Sequence, residues 1–440
     1  MQHRYIPNSG DVKKEMLQEI GVSSIDELFS DIPANLRYQG KLNIDPALSE
    51  MELLKKMEGF GAKNEPMSSF TSFLGAGVYD HFVPLLINHI ASRSEFYTAY
   101  TPYQAEISQG TLQVIFEYQS MICELTGMDT SNASMYDGAN AAVEGVLLAL
   151  NNSKSKRVLI SEGMHPEVYR VIKTYLKFRD TELIEVPLKD GRTDLDKAKE
   201  LLEEKTAAFI IQNPNFYGGI EDMKAFAEVA KDTVSIAHVD PISLALFEAP
   251  GKLGIDIVVG DGQALGNGIN LGGPYLGFMA VGKKLVRKMP GRVAGLTKDS
   301  KGQRAFTLTL QAREQHIRRY KATSNICSNQ ALNALISTIY LSIMGKQGLK
   351  EVAVQSHSKA KYLRDALLET GKFEACFNAP YFKEFCLQYN GDLPAFMDKL
   401  KQEGFLAGLA LEDNRLLIAV TEKRTKAEMD DFIEAVRRLG

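Results

Sequence analysis

The sequence predicts an α/β fold built on a mainly parallel β-sheet, with a second, smaller α/β domain after it. From about Arg157 onward, short apolar segments rich in branched residues alternate with segments long enough for helices. Such alternation is typical of βαβ units, whose sheet is covered by helices on both faces. Ligands of open sheets of this kind bind at the carboxyl ends of the strands.

The predicted elements follow one another in that order along the chain. The strands of the large sheet are expected at Arg157–Ser161, Leu183–Pro187, Ala207–Gln212, Val234–Asp240 and Ile257–Val259. The helices between them are expected at Pro166–Phe178, Asp194–Glu203 and Asp222–Lys231. A long helical stretch leads into the small domain, with helices at Ser328–Gly345, Glu351–Thr370 and Lys426–Arg438 and strands at Glu384–Tyr389 and Arg415–Ala419. We therefore expect a large domain at residues 61–330 and a small domain at residues 331–440.

The first 60 residues are predicted to form a separate helical arm. Ser24 with Glu27, and Ser49 with Glu52, match the capping box that satisfies the free donors at a helix start. The arm is interpreted either as a clasp between subunits or as a surface decoration.

Composition excludes several classes of function. The 440 residues are 45% hydrophobic and 24% charged, and the formal net charge is −4, so nothing favours nucleic acid or an anionic membrane as partner. The sequence contains no run of about 18 consecutive apolar residues, which is the length that a membrane-spanning helix needs. The polar segment Met1–Gly10 lacks the apolar core of a signal peptide, so a cytoplasmic location is expected. The histidines show no metal-ligand spacing, and no metal site is expected.

Four segments are rich in glycine and polar residues, and the first three have a structural as well as a functional interpretation. They are Ser72–His81, Phe96–Glu106, Asn132–Ala142 and Asp256–Leu265. In the first segment, the glycines either let a ligand approach the backbone closely or form a structural turn whose histidine is hydrogen-bonded within the protein. The second segment is either a pocket wall or a protein interface without a chemical role. The third is a phosphate site at a helix start or only a capped helix, and the fourth is a glycine-rich hairpin. None matches a nucleotide-binding loop or a GxSxG nucleophile.

Taken together and in order, the motifs resemble those of one family, the glycine dehydrogenase (decarboxylating) or P-protein of the glycine cleavage system. The resemblance is to the first subunit of its two-subunit form. The matching motifs are Ser72–Tyr79, Tyr97–Glu106, Ser108–Gly110, Phe116–Gln119, Asn132–Ala139, Gln212–Phe216, Gly260–Gln263, Gly272–Pro274, Leu308–Arg319 (LTLQAREQHIRR) and Lys321–Gln330 (KATSNICSNQ).

The resemblance implies the fold-type I architecture of pyridoxal-phosphate (PLP) enzymes. Active members hold PLP as a Schiff base on a lysine, with a carboxylate at the pyridine nitrogen. Asp240 stands at the carboxylate position, a vestigial one here, whereas counting back from Gly272–Pro274 puts Gln263 at the lysine position. Glutamine cannot form a Schiff base. The resemblance therefore implies that no cofactor is covalently bound to this chain and that PLP belongs to a lysine-bearing subunit 2.

The implied reaction is decarboxylation of glycine, with transfer of the aminomethyl group to the lipoyl arm of H-protein. This chain would then supply part of an active-site wall and an interface, not the Schiff base. The residues expected there are Phe73, Gly75, Tyr97, Tyr100, Thr101, Tyr103, Thr323, Ser324 and Asn325. His165 is interpreted as a relic or a structural histidine. The alternatives are a purely structural scaffold subunit and an autonomous PLP enzyme that uses another lysine.

Overall fold

Residues 5–440 of the chain are described by the computed structural model, and they divide into two units between Glu65 and Pro66. The first unit contains helices α1 (Asp11–Ile20) and α2 (Glu50–Gly61), and none of its described residues is buried. The capping box at Ser49 is confirmed, since Glu52 N donates to Ser49 Oγ (3.3 Å) and Ser49 N to the Glu52 carboxylate (2.9 Å). The box expected at Ser24 is wrong. The Glu27 carboxylate reaches one residue further back and accepts from Ser23 N.

The second unit, Pro66–Gly440, is built around a seven-stranded sheet. Its strands are β2 (Thr130–Ser131), β3 (Arg157–Ser161), β4 (Glu182–Val186), β7 (Ala208–Asn213), β8 (Val234–Val239), β9 (Ile257–Asp261) and β10 (Gly277–Val281). Their order is β2-β10-β9-β8-β7-β3-β4. The pairs from β4 to β9 are parallel, whereas β10 runs antiparallel to both of its neighbours. The predicted mainly parallel sheet and the hairpin after Asp261 are confirmed.

Helices cover both faces of this sheet, because successive strand residues point to opposite sides. The α-helices between residues 85 and 369 are α3 (Leu85–Ala91), α4 (Ser94–Tyr97), α5 (Gln109–Thr126), α6 (Gly138–Asn152), α7 (Pro166–Leu176), α8 (Leu195–Leu201), α9 (Met223–Val229), α10 (Gln315–Arg318) and α11 (Ala331–Glu369). In β7, Phe209 and Ile211 join the core that includes residues of α5 and α11. Ala208 and Ile210 join the opposite core with α6 and α7.

A four-stranded antiparallel sheet follows α11. Its strands are β13 (Phe373–Ala375), β14 (Glu384–Tyr389), β16 (Leu409–Ala410) and β17 (Arg415–Ala419), in the order β13-β14-β17-β16, flanked by α12 (Leu393–Gln402) and α13 (Lys426–Leu439). Short paired strands complete the unit: β1 (Thr71–Ser72) with β15 (Phe405–Leu406), β5 (Leu188–Lys189) with β6 (Arg192–Thr193), and β11 (Val293–Lys298) with β12 (Arg304–Thr309).

The predicted elements of the second unit agree closely with the observed ones. The strands Arg157–Ser161, Glu384–Tyr389 and Arg415–Ala419 are confirmed to the residue. The expected pair of long helices appears as α11 with a break at Gly345, whose φ of 56° and ψ of −173° are not helical. Because the two units separate at residue 65, the domain boundary near residue 330 stays a prediction. Among residues 5–440, no helix has both the length and the apolar character needed to cross a membrane.

Candidate functional site

Residues 71–82 connect the small antiparallel sheet with the carboxyl edge of the large sheet. β1 pairs with β15, and the Phe73 ring is buried 4.5 Å from the ring of Phe432. Phe73 thus belongs to the core beneath the small sheet. A side chain at Gly75 would meet Ala419 Cβ and Glu384 Oε1 at 2.4 Å, so the backbone approaches β14 and β17 closely there.

Gln263 fastens this segment to the end of β9. Its Oε1 accepts a hydrogen bond from Tyr79 N (3.0 Å), and its Nε2 donates to Tyr79 O (3.1 Å) and Asn267 O (2.8 Å). The buried amide therefore uses both of its ends on backbone groups. A lysine amine could donate but could not accept the bond from Tyr79 N.

Asp240, at the end of β8, is paired with an ammonium from the small-sheet region. Lys383 Nζ lies 2.6 Å from Asp240 Oδ2, with only 2% of the lysine side chain exposed. The same Nζ lies 3.6 Å from the centre of the Tyr79 ring. Burial alone would raise the pKa of Asp240, but the Lys383 ammonium, with His81 and the Ile242 N–H, more than offsets this and holds the pKa below its usual value.

His81 extends the network on the other side of Lys383. Lys383 Nζ donates to His81 Nε2 (2.9 Å), so the proton of the ring is on Nδ1, which donates to Glu422 Oε2 (2.6 Å). Burial and the neighbouring ammonium lower the pKa of His81. We call Tyr79, His81, Asp240, Gln263 and Lys383 the closed cluster.

Glu384, the neighbour of Lys383, holds the same segment from β14. Its carboxyl accepts from Ala76 N (2.7 Å) and from the Tyr79 hydroxyl (2.9 Å). Burial raises its pKa to about 7. The cavity between Tyr79, Asp240 and Lys383 measures only about 10 Å³ in the space open to the centre of a water molecule.

The start of α6 is closed by carboxylates. Asp137 caps the helix by accepting from Asn140 N (2.7 Å), and Asp261 Oδ2 accepts from Gly138 N (2.9 Å). Asp261 Oδ1 also accepts from Gln263 N (2.8 Å), and burial raises the pKa of Asp261 to about 7. Of the two interpretations of Asn132–Ala142, the structure favours the capped helix.

His165 has a structural place at the start of α7. Its Nδ1 accepts from Glu167 N (3.1 Å), so Nε2 carries the proton and donates to Ala76 O (2.9 Å). Its ring meets the ring of Phe216 edge-on at 5.0 Å. The histidine borders an open groove of about 620 Å³ between α7 and the β16–β17 turn.

The tyrosine-rich segment lies elsewhere on the molecule and is mostly exposed. Tyr97 and Thr101 are exposed, and Tyr100 is 98% exposed. Tyr103 is half-buried, and its ring lies 3.9 Å from the guanidinium carbon of Arg292. Arg292 also faces the Glu314 carboxylate (3.5 Å), which connects this tyrosine to the segment around residue 314.

Thr323, Ser324 and Asn325 line a common pocket of about 330 Å³ together with Glu144, Arg179 and Arg319. A second pocket of about 370 Å³ is lined by Arg292, Glu314 and Cys327, and Gln315 borders both. The structure thus groups Thr323–Asn325 and, through Arg292, Tyr103. We call residues 308–325 the outer segment. The other group, Gly75, Asp240 and Gln263, surrounds Tyr79, and no contact links the two groups among the described residues.

Three charged residues that contact or line these sites were not identified from the sequence, namely Lys383, Glu384 and Glu144. Lys383 and Glu384 lie in a predicted strand region far along the chain, and no spacing signal connects them to Asp240. Glu144 is buried in α6, where burial raises its pKa to about 7, and it lines the same pocket as Ser324. A carboxylate inside an otherwise apolar helix, AAVEGVLLAL, is the one signal that could have found it.

The fold class of the chain follows from the arrangement of its sheets. The sphingosine-1-phosphate lyase of Burkholderia pseudomallei aligns with a TM-score of 0.68 at 14% identity, covering 91% of this chain and 93% of that one. At this identity the likeness concerns the fold alone. Together with a mainly parallel seven-stranded sheet, it makes this the fold-type I architecture of PLP-dependent enzymes.

The family follows from closer comparisons. A crystal structure of glycine decarboxylase (P-protein) of the glycine cleavage system, in inhibitor-bound form, aligns with a TM-score of 0.90 at 41% identity over 100% of both chains. The probable glycine dehydrogenase (decarboxylating) subunit 1 of Carboxydothermus hydrogenoformans is 51% identical over 441 residues, covering 98% of this chain and 99% of the relative. The family described as glycine cleavage system P-protein matches residues 3–436. The chain belongs to the glycine cleavage system P-protein family.

The residues around Asp240 do not fit the PLP that this family implies. A cofactor pocket is typically at least about 300 Å³, whereas the cavity beside Asp240 is about 10 Å³ and has room for about one water molecule. The Asp240 carboxylate is already paired with Lys383, and Gln263 offers no amine. No chemical step is therefore assigned to a cofactor inside this chain.

Proposed function

We propose that this chain is the non-lysine-bearing subunit 1 of a two-subunit glycine dehydrogenase (decarboxylating). In the proposal, PLP is bound by a lysine-bearing subunit 2, glycine is the substrate, and the lipoyl arm of H-protein receives the aminomethyl group. When bound in that subunit, PLP supplies the electron sink for loss of CO₂.

The observation that carries the proposal is Gln263. It stands at the position expected for the Schiff-base lysine, and its amide is fully engaged with the backbone of Tyr79 and Asn267. A side chain that packs the 72–82 segment in this way performs a structural task and not a catalytic one. The name subunit 1, carried by relatives at 50% and 51% identity, supports the existence of a second subunit.

We infer that the contribution of this chain to the reaction comes from its outward surfaces. Tyr97, Tyr100 and Thr101 are exposed although two of them are large aromatic residues, and such residues are enriched where one protein docks on another. The pocket at Thr323–Asn325 adds hydroxyl and amide groups beside Arg179 and Arg319. These groups can position a polar substrate or the arriving lipoyl arm. Phe73 and Gly75 contribute indirectly, because they hold the 72–82 segment in place.

Exchange of labelled bicarbonate into the carboxyl group of glycine tests the proposal. It is measured with PLP and H-protein, for this chain alone and for the chain co-expressed with the lysine-bearing subunit. We expect exchange only with the pair. Exchange by the isolated chain would contradict the proposal and favour the autonomous PLP enzyme.

A wall role is separated from a purely structural scaffold by substitutions on the exposed surface. Tyr100→Ala and Tyr103→Ala are assayed in the assembled pair. Phe178→Ala is the matched control for Tyr100→Ala, because Phe178 is similarly exposed (89% against 98%) but lies outside the motifs. We expect the exchange rate to fall at least about tenfold for Tyr100→Ala, equivalent to about 1.4 kcal/mol. An unchanged rate in an intact assembly would favour the scaffold.

A further inference from the structure

The closed cluster contains an ion pair between Asp240 and Lys383. A glutamine in place of lysine at position 263 does not by itself explain this pair. Asp240 stands at the carboxyl end of β8 with only 12% of its side chain exposed, and a carboxylate without a partner there would destabilise the fold. Lys383, which is fully buried on the loop before β14, supplies the opposite charge at 2.6 Å. A chain that had merely lost its lysine would have left Asp240 facing an open cavity.

PLP carries two charged groups that an enzyme must match. A protein carboxylate faces the protonated pyridine nitrogen, and backbone N–H groups at a helix start receive the phosphate. In this chain the carboxylate of Asp240 is engaged by the Lys383 ammonium. The first N–H of the 15-residue helix α6, at Gly138, is engaged by the Asp261 carboxylate at 2.9 Å.

We propose that the Lys383 ammonium and the Asp261 carboxyl group occupy, inside this chain, the two positions that the pyridine nitrogen and the phosphate of a bound PLP would need. The chain then excludes the cofactor by charge as well as by space. The identity of the excluded cofactor rests on the proposed function. The occupation itself rests on distances between residues of this chain.

The charges match the groups they replace. An ammonium substitutes for the pyridinium opposite Asp240, and a carboxylate substitutes for the phosphate at α6. The Tyr79 ring lies 3.6 Å from Lys383 Nζ, so the ammonium also has an aromatic face beside it. With both positions filled by its own side chains, the 72–82 segment is held in place without a ligand.

Lys383 is not itself placed to be the Schiff-base lysine. The aldehyde carbon of PLP is attached to the ring carbon opposite the pyridine nitrogen. A Schiff-base amine must therefore lie a full ring width away from the carboxylate that binds that nitrogen. Lys383 Nζ is in direct contact with Asp240, so it occupies the place of the ring nitrogen and not that of the aldehyde.

The consequence is that a lysine at position 263 alone does not restore cofactor binding. The experiment compares the wild-type chain, Gln263→Lys, and Gln263→Lys combined with Asp261→Asn and Lys383→Ala, each co-purified with subunit 2. Each sample is incubated with PLP and reduced with borohydride, so that an imine formed with loss of water becomes a stable secondary amine. The mass of each subunit and of its peptides then locates any pyridoxyl group.

We expect no pyridoxyl group on the wild-type chain or on Gln263→Lys, and about one per chain at position 263 in the triple variant. Ala264→Lys repeats the single test one residue further along the buried loop. Gln263→Lys with Lys423→Ala is the matched control, since Lys423 pairs with Asp80 at 2.7 Å on the surface side of the same region. This control should remain unlabelled.

Stoichiometric labelling at position 263 or 264 in a single variant would overturn the proposal, as would labelling of Lys383 in the wild-type chain. A triple variant that unfolds cooperatively and still takes no pyridoxyl group would also overturn it. If the triple variant does not fold, labelling of the Gln263→Lys and Ala264→Lys variants still tests the proposal. Failure of the proposed function would appear differently, as exchange activity in the chain without subunit 2.

Discussion

The closed cluster and the outer segment differ in what happens to their polar groups. In the closed cluster, Lys383 pairs with Asp240 and donates to His81, which in turn donates to Glu422 outside the cluster. The cavity beside Asp240 and Lys383 measures only about 10 Å³. In the outer segment, Thr323, Ser324 and Asn325 border about 330 Å³ of open pocket. The polar groups of the first region have their partners within the chain, whereas those of the second line an open pocket.

Under the proposed function, the closed cluster keeps the framework of a cofactor site without holding the cofactor. A buried polar network must be complete, because each unpaired group is expensive in a low-dielectric interior. In our proposal, a chain that binds no cofactor needs its own side chains at the charged positions, and Lys383 and Asp261 supply them. An exposed surface carries no such requirement, since water satisfies its groups until a partner displaces it.

The largest effect is expected from breaking the buried ion pair. Lys383→Met leaves the Asp240 carboxylate without its counter-charge and should lower the free energy of unfolding by about 3–5 kcal/mol. Urea denaturation of the full chain measures this. Adding Asp240→Asn should recover most of the loss, because the uncompensated charge is then removed. A single variant as stable as the wild type would show that the pair contributes nothing.

Glu384, which accepts a hydrogen bond from Tyr79 of the closed cluster, should make the stability of the chain depend on pH. Its pKa is raised from 4.5 to about 7, so the folded chain binds more protons than the unfolded chain between these values. Stability from this group is therefore full below about pH 4.5 and is lost as the pH rises through about 7. Glu384→Gln mimics the protonated form and should be more stable than the wild type at pH 8, by on the order of 2–3 kcal/mol, but not at pH 5. Parallel denaturation curves at the two pH values test this, and a difference that does not change with pH would contradict it.

A smaller effect is expected where the outer segment meets the tyrosine-rich motif. Tyr103→Leu removes the ring that lies 3.9 Å from Arg292 and should lower the free energy of unfolding by about 1 kcal/mol. Tyr97→Leu is the control, because Tyr97 is 69% exposed and has no comparable contact among the described residues. Equal losses in the two variants would mean that the Arg292 contact adds no stability.

The smallest effect on stability is expected at Tyr100. With 98% of the residue exposed, Tyr100→Ala should change the free energy of unfolding of the isolated chain by less than about 0.5 kcal/mol. Thermal unfolding of the chain without its partner measures this. A loss above about 1 kcal/mol would show that Tyr100 packs within the chain, and its effect on exchange could then no longer be assigned to the assembled site.

Much of the fold could be predicted because its signals are local. The strands at Arg157–Ser161 and Glu384–Tyr389 are runs of apolar, β-rich residues bounded by polar ones, and the capping box at Ser49 depends on residues three positions apart. The box at Ser24 was wrong for a related reason. The same residue pattern can place the glutamate on Ser23, and sequence alone does not choose between two adjacent serines.

The candidate site was only partly predictable, since its contacts join residues far apart in sequence. Gln263 could be singled out from its position before Gly272–Pro274, but its bonds to Tyr79 span 184 residues. Phe73 looked like a wall residue because it lies in a motif, and the structure places it in the core beneath the small sheet. The grouping of Thr323–Asn325 in one pocket follows the sequence more closely, since three adjacent residues share it.

The sequence by itself determined the α/β class, the order of the strands and helices along the chain, the family resemblance and the glutamine at position 263. These depend on periodicity, on short-range caps and on motifs that are continuous in the chain. Only the tertiary structure decided that Asp240 is neutralised by Lys383, that Asp261 closes the start of α6, and that the cluster has no room for a cofactor. The physical reason is that charge compensation and packing depend on distance in space, which brings Lys383 to within 2.6 Å of a carboxylate more than a hundred residues before it.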